Sequence, residues 1–125
     1  ARRRQREAAD EGRVLASPAR SQVSTRPILI HPAALTEATE AKGFYLARDV
    51  EVALVFEGLL SDALERIEQA PERWPPYLHD TRRYILPRYP YTIIYEVLSE
   101  HVRVLAIAHQ RRRPGYWARR KKSGR

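Results

Sequence analysis

Three adjacent arginines, Arg111, Arg112 and Arg113, follow an apolar run that ends at His109, and Tyr116 and Trp117 come shortly after. A guanidinium is planar, permanently charged and shaped to meet phosphate or carboxylate in a fork. Three of them at a strand end, followed by aromatics, suit contact with a polyanion or an acidic partner. Arg119 and Arg120 continue the basic run beyond Trp117. His109 sits beside this cluster and could move a proton near neutral pH. Its competing reading is a hydrogen-bonded strand-end residue. His31, just before Pro32, reads as structural, and His79 and His101 as solvated connector and turn residues. No His and carboxylate share metal-ligand spacing. The chain has no Cys, which removes disulfides, thiolate zinc sites and a thiol nucleophile. No metal and no cofactor are expected.

The charge is unevenly placed along the 125 residues. Residues 1–26 hold 7 arginines against 3 acids, residues 27–110 hold 8 basic against 12 acidic side chains, and residues 111–125 hold 8 basic side chains and no acid. A pI near 10.3 therefore reports two basic ends on a mildly acidic middle, a distribution that favours polyanion partners. No apolar run approaches the ~20 residues of a membrane-spanning helix. Residues 1–13 lack the apolar stretch of a secretory signal, so a cytoplasmic location and no membrane partner are expected.

The elements that must position these groups follow from periodicity. Residues 1–26 are poor in apolar side chains and read as a disordered basic segment. Ile28-Leu29-Ile30 reads as a strand. Pro32 suits the start of a helix in which Leu35, Ala38, Ala41 and Tyr45 recur. Asp49 suits the N-cap of a second helix, whose apolar stripe is Val52, Phe56, Leu59, Leu60, Ala63 and Ile67. Pro71 ends it. Residues 71–80 read as a Pro-rich connector, with Trp74 a lid on the helix layer. Strands are expected over 82–86, 91–98 and 101–108, the last two joined as a hairpin by Ser99-Glu100. Tyr91, Ile93, Tyr95 and Val97 are expected on one face, and Val102, Val104, Ala106 and Ala108 on one face. The order β-α-α-β-β-β predicts an α+β two-layer domain with both helices on one side of the sheet. It is expected to span 27–118, followed by a basic tail at 119–125. The strands should bring Arg83 and Arg88 to the same sheet end as Arg111–Arg113.

From Ile28 to Trp117 the chain resembles the RelE/ParE superfamily of toxins from type II toxin–antitoxin systems. The resemblance rests on three segments in order. These are the His31-Pro32-Ala33-Ala34-Leu35 helix start, Pro71-Glu72-Arg73-Trp74-Pro75 closing the second helix, and the hairpin region from Arg83 to Tyr91 with Ala108 through Trp117. It implies the two-layer fold, a cognate antitoxin in a heteromeric complex, and one of two targets. One branch cleaves mRNA on the ribosome as an endoribonuclease; the other inhibits DNA gyrase. Fold alone does not choose between them.

For metal-free RNA cleavage the resemblance implies Arg111, Arg83 and Tyr116, with Trp117 as its neighbour, as matches to catalytic positions, and the place of His109 beside the arginines adds it as a candidate catalytic base. Such chemistry needs a base, cations around the phosphate and an acid at the leaving oxygen. By charge and placement, Arg88, Arg112, Arg113, Trp117, Arg119 and Arg120 are candidate nucleic-acid or partner-binding residues. Two positions depart from the nuclease pattern: Thr92 and Ile85 stand where that branch carries basic strand residues. They favour gyrase inhibition, whereas the intact arginine cluster favours RNA cleavage; a third reading is an attenuated relative that only binds nucleic acid or its partner.

Overall fold

The computed structural model describes residues 26–123; the basic segment expected at 1–26 lies almost wholly outside them. The elements are β1 (Ile28–Ile30), α1 (Pro32–Leu46), α2 (Val50–Gln69), β2 (Pro76–Tyr77), β3 (Thr81–Ile85), β4 (Tyr91–Val97), β5 (Val102–His109) and α3 (Arg119–Ser123). They build one sheet in the order β1-β5-β4-β3-β2. β1 pairs with β5 in parallel, and every other pairing is antiparallel.

Local chemistry starts α1 at Pro32 and α2 after Asp49, as the sequence anticipates. The His31 side chain caps α1, its Nδ1 accepting from the Ala33 N–H at 3.0 Å ahead of Pro32. Burial and the nearby Arg103 and Arg120 lower the His31 pKa, which keeps the ring neutral and able to accept. Asp49 caps α2 by taking the Glu51 N–H at 2.9 Å. The buried face of α2 is Ala53, Phe56, Ala63 and Ile67. On α1 the buried residues are Ala34 and Ala41, whereas Leu35 is turned out, 46% exposed. Small residues on this face let α1 lie close to the sheet.

Both helices cover one side of the sheet, where Phe56, Ile67, Ile93, Tyr95, Val102, Val104 and Ile107 form the main core. A second core lies on the other side, from Ile94, Leu105, Ala106, Ala108 and Trp117. The single-face alternation expected for β5 is corrected here. Ile94 pairs with Ala106 but Tyr95 pairs with Val104, so Leu105 is an extra residue. This bulge moves Ala106 and Ala108 to the face opposite Val102 and Val104. β2 is a further departure, since Pro76-Tyr77 leave the expected connector to pair with Arg82 and Thr81. Trp74 does act as a lid, its ring 4.6 Å from Tyr84 and edge-on to it.

The domain does not stop at residue 118. α3 returns Arg120 to Glu37 at 3.0 Å and Lys121 to Glu96 at 2.8 Å. Part of the expected free basic tail is therefore fastened to the body. No described helix is long and apolar enough to cross a membrane.

Candidate functional site: an arginine-rimmed cleft and the carboxylate behind it

The sheet face away from the helices carries Arg83, Ile85, Thr92, Ile94 and Ala108 on adjoining strands. Arg83 pairs with Ile94, Ile85 with Thr92, and Thr92 with Ala108, so all five side chains share one surface. The chain after β5 folds over this surface. His109, Gln110, Arg112, Arg113, Pro114, Tyr116 and Trp117 complete a cleft of about 150 Å³ with Tyr77 and Arg83. The Arg83 guanidinium lies 4.5 Å over the Tyr77 ring and that of Arg112 lies 3.7 Å over the Tyr116 ring. Stacking orients both cations and leaves their in-plane N–H groups for a ligand.

The structure brings together Arg83, His109, Arg112, Arg113 and Tyr116 from the expected set. Arg111 and Arg88 do not line the cleft. Arg111 is exposed on the turn after β5, and Arg88 is exposed in the β3–β4 turn with φ 70°. Arg119 is exposed on α3. Trp117 lines the cleft from within the second core: it is 1% exposed and edge-on to His79 at 5.7 Å. Gly115, with φ +84°, turns the chain so that Trp117 can enter, and a Cβ there would lie 3.4 Å from His79 Nε2.

Two expected catalytic groups are already engaged. The Tyr116 hydroxyl donates to Glu37 Oε2 at 2.7 Å. Burial and that carboxylate raise the Tyr116 pKa, so the phenol stays protonated. His109 Nδ1 accepts from the Arg111 N–H at 3.0 Å, and its ring meets Tyr91 edge-on at 5.1 Å. The Nδ1 lone pair is thus engaged by the backbone.

Glu37 is the residue the sequence reading passed over. It is 14% exposed and holds four hydrogen bonds: the Ile107 N–H at 2.9 Å, the Tyr116 hydroxyl, and a two-pronged contact from Arg120 at 3.0 Å to each oxygen. Arg112 stands 4.0 Å away. Arg120 also donates to the Leu105 carbonyl at 2.9 Å. β1 stops at Ile30, opposite Val104, so beyond that point β5 has no strand on this side. The Glu37–Arg120 pair takes the place of one, satisfying a β5 donor and a β5 acceptor. A signal was present: Glu37 stands at i+3 from Ala34 and i−4 from Ala41, on the buried stripe of α1.

Tyr116 and Tyr95 carry a pH prediction. Both phenols are raised above their ordinary value by burial, and Tyr95 donates to the Pro71 carbonyl at 2.6 Å. Below about pH 10 both are neutral in the folded and unfolded chain. Above it the unfolded chain ionises first, so stability falls steadily as pH rises past 10. Denaturant midpoints measured from pH 8 to 12 should show this decline, and Tyr95→Phe and Tyr116→Phe should each flatten it.

An α+β sheet with an N-terminal helical hairpin on one face and an arginine-rimmed cleft on the other defines a RelE/ParE-superfamily toxin domain. Residues 28–114 match the family described as the ParE toxin of type II toxin–antitoxin system, parDE. The chain belongs to that family. Among solved structures it is similar to one described as the chromosomal ParDE TA system from P. aeruginosa, with TM-score 0.61 and 16% identity over 67% of this chain and 95% of that one. That likeness is one of fold. No curated protein matches the chain.

Proposed function

We propose that this toxin arrests growth by binding its target through the arginine-rimmed cleft, without cleaving RNA, and that a cognate antitoxin neutralises it. The observation that carries this reading is the occupation of the acid–base groups. Tyr116 is committed to Glu37 and His109 Nδ1 to the Arg111 N–H. Ile85, 64% exposed, and Thr92 occupy cleft-face positions where cleavage would call for cations. What remains is a surface of oriented guanidiniums beside an exposed apolar side chain, suited to a macromolecular surface. The ParE membership favours DNA gyrase as that target. Ribosome-dependent mRNA cleavage is the second reading, favoured by Arg83, His109, Arg112 and Arg113 facing one cleft. An acidic segment of the antitoxin would pair with Arg111–Arg113 and mask the cleft.

The test is brief induction in cells with three readouts: growth, DNA damage and mapped RNA 5′ ends. Arg83→Glu/Arg112→Glu/Arg113→Glu should restore growth. Arg111→Ala, His109→Ala and Tyr116→Phe should keep growth arrest, with no new RNA 5′ ends from any of them. A nuclease working in this cleft would instead lose about 10²–10³ in turnover with Arg83→Ala or Arg112→Ala. New RNA ends with the parent toxin, absent with His109→Ala, would overturn the binding reading.

A further inference from the structure

The outer side of α2 carries two chemistries in one line. Leu54, Gly58, Asp62, Glu65 and Gln69 follow one another at helical spacing, opposite the buried Phe56, Ala63 and Ile67. Leu54 is 56% exposed, with Val55 exposed beside it. At Gly58 a Cβ would meet nothing within 4 Å, so the packing of the domain does not call for glycine there. Glycine weakens a helix interior, and its gain is a bare backbone that another chain can approach closely. A groove of about 350 Å³ follows, between Asp62, Glu65 and Gln69 on the helix and Arg73 and Trp74 in the turn after it. The Trp74 indole nitrogen is buried and has no hydrogen-bond partner, the one such side-chain atom among the described residues. It is a donor in want of an acceptor.

Charge and connectivity point to what covers this face. α2 holds five acids against Arg66 alone, and its C-terminal carbonyls add partial negative charge. The chain enters β1 beside that helix end. Arg26 donates to the Leu98 carbonyl at 3.0 Å and stands 3.6 Å from Glu72, next to Arg73 in the same turn. Upstream, residues 13–25 contain Arg13 and Arg20, the apolar Val14, Leu15 and Val23, and no acid. The C-terminal basic run is otherwise engaged, since Arg120 and Lys121 are held by Glu37 and Glu96. Reading N-terminally from Arg26, a cation and then an apolar pair arrive in the order in which α2 presents acids and then Leu54 and Val55. The reach fits: the chain from Arg26 to Arg20 spans up to ~20 Å and to Leu15 up to ~36 Å, whereas Gln69 to Leu54 is ~22 Å of helix.

We infer that residues 13–25 of this chain lie along the outer face of α2, in the direction of the helix. Arg20 meets Glu65 and Asp62, Val14 and Leu15 cross Gly58 against Leu54 and Val55, and backbone carbonyls between Arg20 and Arg26 pass the Trp74 indole. Asp62 already accepts from Arg66 at 3.0 Å, and a carboxylate has lone pairs for a second guanidinium. An exposed ion pair contributes little alone. Covalent attachment makes the encounter intramolecular, at a millimolar effective concentration. These residues precede the family match at 28–114, so the contact is an addition to the toxin domain. It covers the acidic side of the molecule and leaves the arginine cleft on the other face of the sheet open. The inference stands whichever target that cleft reaches.

The chain has no Cys, so Ala16→Cys in the full chain takes a single nitroxide label. In NMR spectra the amide signals of Leu54, Gly58 and Asp62 should be lost to relaxation, and those of Arg113 and Tyr116, beyond the sheet, retained. Arg20→Glu should lower the docked population about fivefold at low salt, the effect of one exposed pair. Arg20→Glu with Glu65→Arg should restore it. Leu54→Glu, at an exposed position, should weaken docking through its apolar half, with near-UV circular dichroism showing each variant folded. The Trp74 indole signal should shift in Arg20→Glu while that of Trp117 stays. Equal broadening on both faces of the sheet, no broadening on α2, a stationary Trp74 signal or a charge swap that restores nothing would each overturn the inference. So would broadening of an unlabelled copy mixed with labelled chain, which would make a second copy the source of the segment. Growth arrest is not a readout here, so failure of the toxin reading leaves this result interpretable.

Discussion

Glu37→Ala should destabilise the domain by about 3–5 kcal/mol, the cost of leaving one member of a buried ion pair alone. The Arg120 side chain is 18% exposed and Glu37 14%, so little solvent remains to screen the stranded cation. The change also frees the Ile107 N–H and the Tyr116 hydroxyl together. In a domain of this size such a loss lowers the melting temperature by more than about 12 °C. Glu37→Met with Arg120→Met should recover part of it, because no charge is then buried. Truncation after residue 118 deletes Arg120 and should resemble a single loss of charge. Calorimetry on the single and double variants is the check, and a fall below about 1 kcal/mol for Glu37→Ala would show that water replaces the pair.

Trp117→Ala should cost a similar amount, about 3–5 kcal/mol, through the cavity it leaves among Ile94, Leu105, Ala106 and Ala108. Trp117→Phe should cost clearly less, since an aromatic ring still fills most of the space. This pair separates two roles for the residue. A binding role would leave the melting temperature alone and weaken target contact. A core role lowers the melting temperature of the alanine variant and leaves the arginines outside it unchanged. Near-UV circular dichroism should lose the fixed-aromatic signal of Trp117 in the same variant.

The layered fold was legible because its signals are local. Pro32, Asp49 and Pro71 mark helix ends, and period-two runs mark β4 and β5. Three features escaped for reasons that are not local. The bulge at Leu105 reassigns Ala106 and Ala108 to the other face, and alternation counted along one strand cannot register an extra residue against its partner. Pro76-Tyr77 become a strand only because β3 offers an edge. Glu37 meets Arg120 across 83 residues, a separation no spacing rule addresses. The site was legible in charge and illegible in direction. Arg112 and Arg113 reach the cleft, whereas Arg111 and Arg120, identical in type and close in sequence, point elsewhere. Direction there is set by the turn through Gly115 and by a carboxylate on α1.

The parallel pairing of β1 with β5 has a consequence during biosynthesis. Ile28 lies against Val102 and Ile30 against Val104, so the first strand has no neighbour until nearly the last has been made. β5 is also the strand on which the helical hairpin and the C-terminal segment both rest. Closing so long a loop comes before any of those contacts can repay it. A nascent chain still attached near residue 100 therefore has helices and a β3–β4 hairpin but no complete sheet and no cleft. A chain cut before Val102 should therefore show neither a cooperative melting transition nor target binding.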